Sequence, residues 1–404
     1  MTQPNSLKKL FTGAAVAAFA AGAFAGDYGK AIIDDKMPIE DPWTWCDLFD
    51  YSTLYEAESG FIREVAFNGR YHGQYISQSE DFGNASNGFN QWQHRRARVG
   101  IDIEFAGDLA FYSSINVSDG SGSGTGLIRR DFFNDFDEVG IEWTPDDWEI
   151  VVGKQKQKIT REYSTSSKRI KTVERSHIVN EVADQKPWGV TVEREFAGFT
   201  HQVGAWLYGT DGGTNRGGFQ LPRGDSRAGW SYSAAIDVTD ETEVHFNYVY
   251  TNNSGGAVAP RGSAPADQGS NYEHVLALGT ESDFGRLGLV TDIIFGANRQ
   301  ASGAIPAGDD TWGFVFMPTY EITEKLEAVA KYAYMDQGQN QRTQRFNVRQ
   351  RVADYHTFYA GLNYYICGDK LKIMGGYEYA TGEEFGTGTD ITSDTWMLAV
   401  RTYW

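Results

Sequence analysis

From residue 61 onward the chain alternates apolar and polar side chains with a period of two, the spacing of a strand that shows a different medium to each face. Val65, Phe67, Tyr71 and Tyr75 share one face, and Glu64, Asn68, Arg70, His72 and Gln74 share the other. The next run repeats this, with Val99, Ile101, Ile103 and Phe105 set against Arg96, Arg98, Asp102 and Glu104. The alternation recurs in segments joined by short turns at 106–108, 145–147, 196–198, 240–242, 283–285, 323–325 and 368–370. Between the pairs lie long Gly/Ser/Asn-rich loops near 119–135, 157–186, 209–226, 252–270, 299–309, 337–350 and 381–392. Short turns and long loops therefore alternate, the asymmetry of an outer-membrane barrel with brief periplasmic turns and long extracellular loops.

Counting segments predicts an all-β fold, a sixteen-stranded antiparallel transmembrane β-barrel over 61–404. Such a barrel is wide enough for an aqueous lumen. A soluble propeller or sandwich also has many short strands. It explains neither the loop asymmetry nor the aromatic strand ends, such as Tyr377 with Tyr379 and Tyr403 with Trp404. Mean hydropathy is only −0.46, as expected when apolar side chains alternate with polar ones.

The N-terminal stretch reads as an export signal. Lys8 and Lys9 precede an apolar run that ends in Ala23-Phe24-Ala25, so residues 1–25 are expected to be a signal peptide. Removing those two lysines takes the net charge from −18 to −20. A chain this acidic is not a nucleic-acid ligand by bulk electrostatics. Residues 26–60 are expected to be a periplasmic segment, with a short amphipathic helix around 43–49. Cys46 in that segment and Cys367 beside a short turn fall on the same side, so either a disulfide or two free thiols fits.

Three stretches resemble the phosphate-selective porin family, the porins O and P. They are Asn68-Gly69-Arg70, Arg95-Arg96-Ala97-Arg98-Val99-Gly100, and the block from Val152 to Val192, which contains Thr165-Ser166-Ser167-Lys168 and Glu174-Arg175-Ser176. The resemblance implies a homotrimeric diffusion pore for small anionic solutes, with the third loop folded inward as a constriction and basic side chains along the lumen. It carries Arg70, Arg95 and Arg96 over as pore-lining arginines, and places Lys154, Lys168 and Arg175 in the segment that leads to and forms the constriction. The family's phosphate members have a richly basic lumen, whereas this chain is acidic overall.

Charge distribution says more than net charge. Residues 154–175 hold Lys154, Lys156, Lys158, Arg161, Lys168, Arg169, Lys171 and Arg175 against Glu162 and Glu174, an excess of six cations. In a narrow pore a few like charges focus a field that attracts anions. The alternative is that these bases bridge lipopolysaccharide phosphates or pair with acids on the barrel wall. Parity points Arg70, Arg96, Arg98, Lys331, Arg349, Arg351 and Arg401 into the lumen, because a charge facing lipid near the midplane costs about 2–4 kcal/mol. Arg95 falls on the lipid-facing parity of its strand, which places it above the membrane rim. Inward acids, among them Glu64, Asp102, Glu104, Glu327 and Glu378, make the lumen mixed.

Catalytic signals are weak. The seven histidines are scattered, and neither HExxH nor G-x-S-x-G occurs. His72 with His94 is the nearest approach to a reactive pair. No enzyme activity, cofactor or metal is expected. The partners expected are outer-membrane lipid, lipopolysaccharide and small solutes. The functional alternatives are a non-selective or cation-preferring general pore and a structural or adhesive barrel.

Overall fold

The computed structural model describes residues 44, 46–50, 52–82, 85–117, 135–183, 186–210, 222–252, 272–299, 310–336, 343–345, 348–350, 352–384 and 388–404. The stretch expected to be a leader lies outside them.

Strand β1 (Thr53–Glu56) is short and lies against β2 (Ile62–Phe82). The barrel continues through β3 (Ala85–Phe105), β4 (Leu109–Asn116), β5 (Asp135–Trp143), β6 (Trp148–Lys154), β7 (Trp188–Phe196) and β8 (Phe199–Thr210). Next come β9 (Pro222–Thr239), β10 (Thr242–Thr251), β11 (Tyr272–Phe284), β12 (Leu287–Arg299), β13 (Thr311–Thr323) and β14 (Leu326–Asp336). A small hairpin, β15 (Thr343–Arg345) with β16 (Val348–Gln350), stands apart in the seventh loop. The last three barrel strands are β17 (Val352–Tyr365), β18 (Leu371–Glu384) and β19 (Asp390–Tyr403).

Each barrel strand pairs antiparallel with its neighbours, and β19 pairs with β2 from Ile391↔Phe82 to Tyr403↔Arg70, so sixteen strands close on themselves. The first hairpin is longer than the alternation suggested. Its strands run to Phe82 and from Ala85, leaving residues 83–84 as the whole connection.

Alternation along β19 shows how sequence sets the faces. Ser393, Thr395, Met397, Ala399 and Arg401 are buried inside, while Trp396 and Leu398 are 64% and 40% exposed on the outside. The seam closes beyond β19, where Gly69 and Trp404 exchange both backbone hydrogen bonds at 3.1 Å. The Trp404 indole lies flat over Gly69, and a Cβ there would sit 2.1 Å from the ring. Phe67 stacks on the same indole at 6.4 Å.

Below Trp404 the free edge of β2 is taken by residues just ahead of the barrel. The Phe67 N–H donates to the Ser52 carbonyl at 2.7 Å, and β1 pairs as Thr53↔Ala66, Tyr55↔Val65 and Glu56↔Glu64. A 3-10 helix, Asp47–Asp50, precedes it, shorter than the amphipathic helix expected around 43–49. Cys46, at the start of this stretch, is disulfide-bonded to Cys367 in the β17–β18 turn, with Cα atoms 5.2 Å apart.

The lumen contains a core. Residues 155–183, after β6, turn inward and carry two short helices, α1 (Arg161–Ser164) and α2 (His177–Val182). Ile159, Val173, Ile178, Val179 and Val182 of this loop are fully buried, packed with Val275, Ala277, Ile294, Val315, Val329, Ala333 and Met335 from the inner wall. Burying such aliphatic side chains contributes about 1.5–3 kcal/mol each. Many inward positions of β10–β14 and β17–β19 are therefore small or apolar, because they receive this loop instead of water.

Candidate pore constriction

The loop is held to the wall largely through its own backbone carbonyls, which need partners once water is excluded. Lys372 donates to the Ile170 carbonyl at 2.9 Å, Asn363 to that of Lys171 at 2.8 Å, Arg401 to that of Val173 at 2.8 Å, and Lys331 to that of Glu174 at 2.9 Å. At α1 the Asp292 carboxylate accepts the N–H groups of Arg161 and Glu162, both at 2.7 Å. Ion pairs finish the docking: Lys171 with Glu327 at 2.6 Å, Lys158 with Glu193 at 2.5 Å, Lys186 with Asp137 at 2.5 Å, and Arg161 with Glu281.

This docking divides the sequence-derived cations into two groups. Lys154, Arg175 and Lys331 face inward but are sealed, at 5%, 8% and 3% exposure. The Lys154 ammonium donates to the Phe136 carbonyl at 2.7 Å. Arg175 donates to the carbonyls of Glu162 and Thr165 and lies over the Tyr163 ring. Lys331 pairs with Glu162 at 3.2 Å and donates to the Thr172 hydroxyl at 3.1 Å. These three hold the loop rather than lining open lumen.

Arg70, Arg95, Arg96 and Lys168 keep partial exposure, and Arg169 is exposed. Arg98 is pinned by Asp137 at 2.7 Å and by Asn116 at 2.9 Å. Arg70 donates to the Ser167 hydroxyl, and Lys168 lies over the Tyr403 ring. The backbone of Arg349 is in β16, paired with Gln344, and its side chain lies outside the described residues, as does the whole of Arg351.

Arg95 does not face lipid. His72 pairs with Arg96 and Gly73 with His94, so Arg95 is the extra residue of a β-bulge. Beyond the bulge the parity of β3 shifts by one, and Arg95 and Arg96 both turn into the lumen. A second bulge does the same for acids. Ser114 pairs with Glu138 and Ile115 with Phe136, which leaves Asp137 as the extra residue beside inward Glu138. Asp137 holds Arg98 and Lys186, and Glu138 reaches Lys186 at 3.2 Å. Strict alternation cannot find Asp137, Glu138 or the inward face of Arg95. The visible signal is a pair of adjacent like charges within an otherwise alternating strand.

Two carboxylate groupings also escaped the sequence. Glu174 on the loop accepts from Arg95 Nε and Gln74 Nε2, both at 2.8 Å. Burial by itself would raise its carboxyl, but the charges of Arg95 and Arg96 outweigh that and hold it well below the usual carboxylate range. Lower on the wall, the register points Glu142, Glu149 and Glu193 inward as an acidic stretch opposing the basic one. Burial, reinforced by nearby Arg70, lowers the Lys168 ammonium from its ordinary value. His72 and His94 form no site. His72 points inward to Arg96, while His94 points outward, where its Nδ1 bonds the Tyr71 hydroxyl at 2.9 Å.

A closed sixteen-stranded barrel with a charged loop folded into its lumen defines the class: an outer-membrane porin. The model of the family described as phosphate-selective porin O and P matches residues 65–258, from β2 into the connection after β10. No curated protein matches the chain in sequence.

Solved structures with the same fold include OmpT, an outer membrane protein of Vibrio cholerae, at 12% identity and TM-score 0.53, covering 87% of this chain and 100% of its own. The outer membrane channel DcaP of Acinetobacter baumannii matches at 12% identity and TM-score 0.55, covering 87% and 99%. An anion-selective porin from Comamonas acidovorans matches at 13% identity and TM-score 0.53, covering 83% and 99%.

Proposed function

We propose that this porin is a passive diffusion channel for small hydrophilic solutes with a preference for phosphate-like anions. The observation that carries the reading is the bulge on β3, which turns Arg95 and Arg96 into the lumen beside Arg98 and Arg70. Guanidinium groups present forked donors that match phosphate or carboxylate oxygens. In a narrow, low-dielectric passage they raise the local concentration of anions. Lys168 and Arg169 on the loop add accessible positive charge, while Lys154, Arg175 and Lys331 hold the loop in position.

Assembly as a homotrimer in lipid and lipopolysaccharide completes the proposal. β4 and β6 have eight and seven residues, against the about 9–11 that a membrane strand needs. So low a wall fits burial against another copy better than full contact with lipid.

A second reading, weak or cation-leaning selectivity, is favoured by the inward acids Glu142, Glu149 and Glu193. Planar-bilayer recording separates the two. The anion reading expects open-channel current with a zero-current potential of anion sign in a potassium chloride gradient. A cation sign supports the second reading, and no current at all supports a structural barrel.

A further inference from the structure

We infer that Glu174 is a specificity-determining residue, a resident counter-anion that occupies Arg95 and sets how tightly the constriction holds a permeating oxyanion. The inference rests on the anion-channel reading. The Glu174 carboxylate meets the fork of Arg95 with both oxygens, Oε1 on Nε at 2.8 Å and Oε2 on Nη2 at 3.4 Å. This is how a free carboxylate or phosphate would be gripped. Gln74 Nε2 donates to the same Oε1 at 2.8 Å. The residue is fixed from behind as well, since its carbonyl accepts from Lys331 Nζ at 2.9 Å and from the Thr172 hydroxyl at 2.8 Å.

The neighbouring guanidinium is treated differently. Among the described residues, Arg96 is hydrogen-bonded only by the His72 Nδ1, at a long 3.4 Å, while Arg98 is held by Asp137. Of the arginines brought together on β3, one is bound by a loop carboxylate, one by a wall carboxylate, and Arg96 has none.

An oxyanion arriving at Arg96 therefore competes with, or is repelled by, a tethered carboxylate. Tethering gives that carboxylate a high effective concentration at Arg95. The chemical consequence is moderation. Two adjacent free guanidinium groups would grip a divalent oxyanion strongly, and a channel must also release it. Glu174 allows the passage to attract oxyanions without retaining them.

The test is Glu174→Gln in the full-length porin, with phosphate titrated against chloride current in planar bilayers. The phosphate concentration that halves the current should fall about tenfold or more, the scale of one charge-assisted hydrogen bond. The zero-current potential should move further to the anion side. Glu174→Asp keeps the charge but draws it back from Arg95, so it should tighten phosphate binding less than Glu174→Gln. It also serves as the readout should the amide variant not fold.

Heat-resistant migration of the folded barrel on gels identifies folded protein before recording. A merely structural role for Glu174 would raise current noise or lower heat resistance without tightening phosphate. That result, or an unchanged or weakened half-block in an anion-selective parent, overturns the inference. A cation-selective parent overturns the channel reading beneath it.

Discussion

Arg95 and Lys331 carry the same charge and face the same interior, yet replacing them should have different effects. Arg95→Ala removes a partly exposed charge and releases the Glu174 carboxylate it holds, so it should shift the zero-current potential toward the cation side, with a smaller loss of stability than at a more deeply buried pair. Lys331→Ala leaves the buried Glu162 without its counter-ion, a change that costs about 3–5 kcal/mol. It should lower the temperature at which the folded form is lost on gels while moving selectivity less. Equal shifts in selectivity would contradict the division into open and sealed cations. The charge of Glu174 should also hold the loop down to acidic pH. A carboxyl whose folded pKa is depressed stabilises fully above its ordinary 4.5, and that stability is lost only as pH falls through the lower folded value. Which inward residues exist was legible from alternation. Which of them are open was not, because exposure depends on the path of a loop distant in sequence.

Among the elements, the first hairpin and the third loop show most clearly where periodicity stops being sufficient. The strand character of β2 and β3 follows directly from their alternating side chains, but a single extra residue reverses which side chains face the lumen. The family-like glycines acquire a physical reason in the fold: Gly69 makes room for the Trp404 ring, and a Cβ at Gly100 would meet the Ser113 carbonyl. Gly69→Val should therefore reduce the yield of heat-resistant barrel, since it displaces the aromatic that closes the seam. A normal yield would show that Trp404 is dispensable there. The Cys46–Cys367 bond ties the stretch ahead of β1 to the β17–β18 turn, across the seam from the edge of β2 that β1 covers. Reduction, or Cys46→Ser, should expose residues 46–61 to protease while the barrel strands stay protected. Labelling of both thiols in unreduced folded protein would contradict this.

At the scale of the whole molecule, a barrel with net charge −18 can still draw anions inward, because its charges are sorted by place. Acids such as Glu142, Glu149 and Glu193 line one lower wall, and the accessible cations gather on β2, β3 and the tip of the loop. The alternation of short turns and long loops identified the sixteen-stranded barrel. The apolar packing of the loop against the inner wall was hidden, since Ala277, Val315, Ala333 and their neighbours look, by sequence, like interruptions of a polar face. The most direct test of the central claim compares the zero-current potential of the parent with that of the double variant Arg95→Ala/Arg96→Ala in the same potassium chloride gradient. The predicted result is an anion-sign potential in the parent that falls toward zero in the double variant. A cation-sign parent, or a double variant indistinguishable from an anion-selective parent, would contradict it.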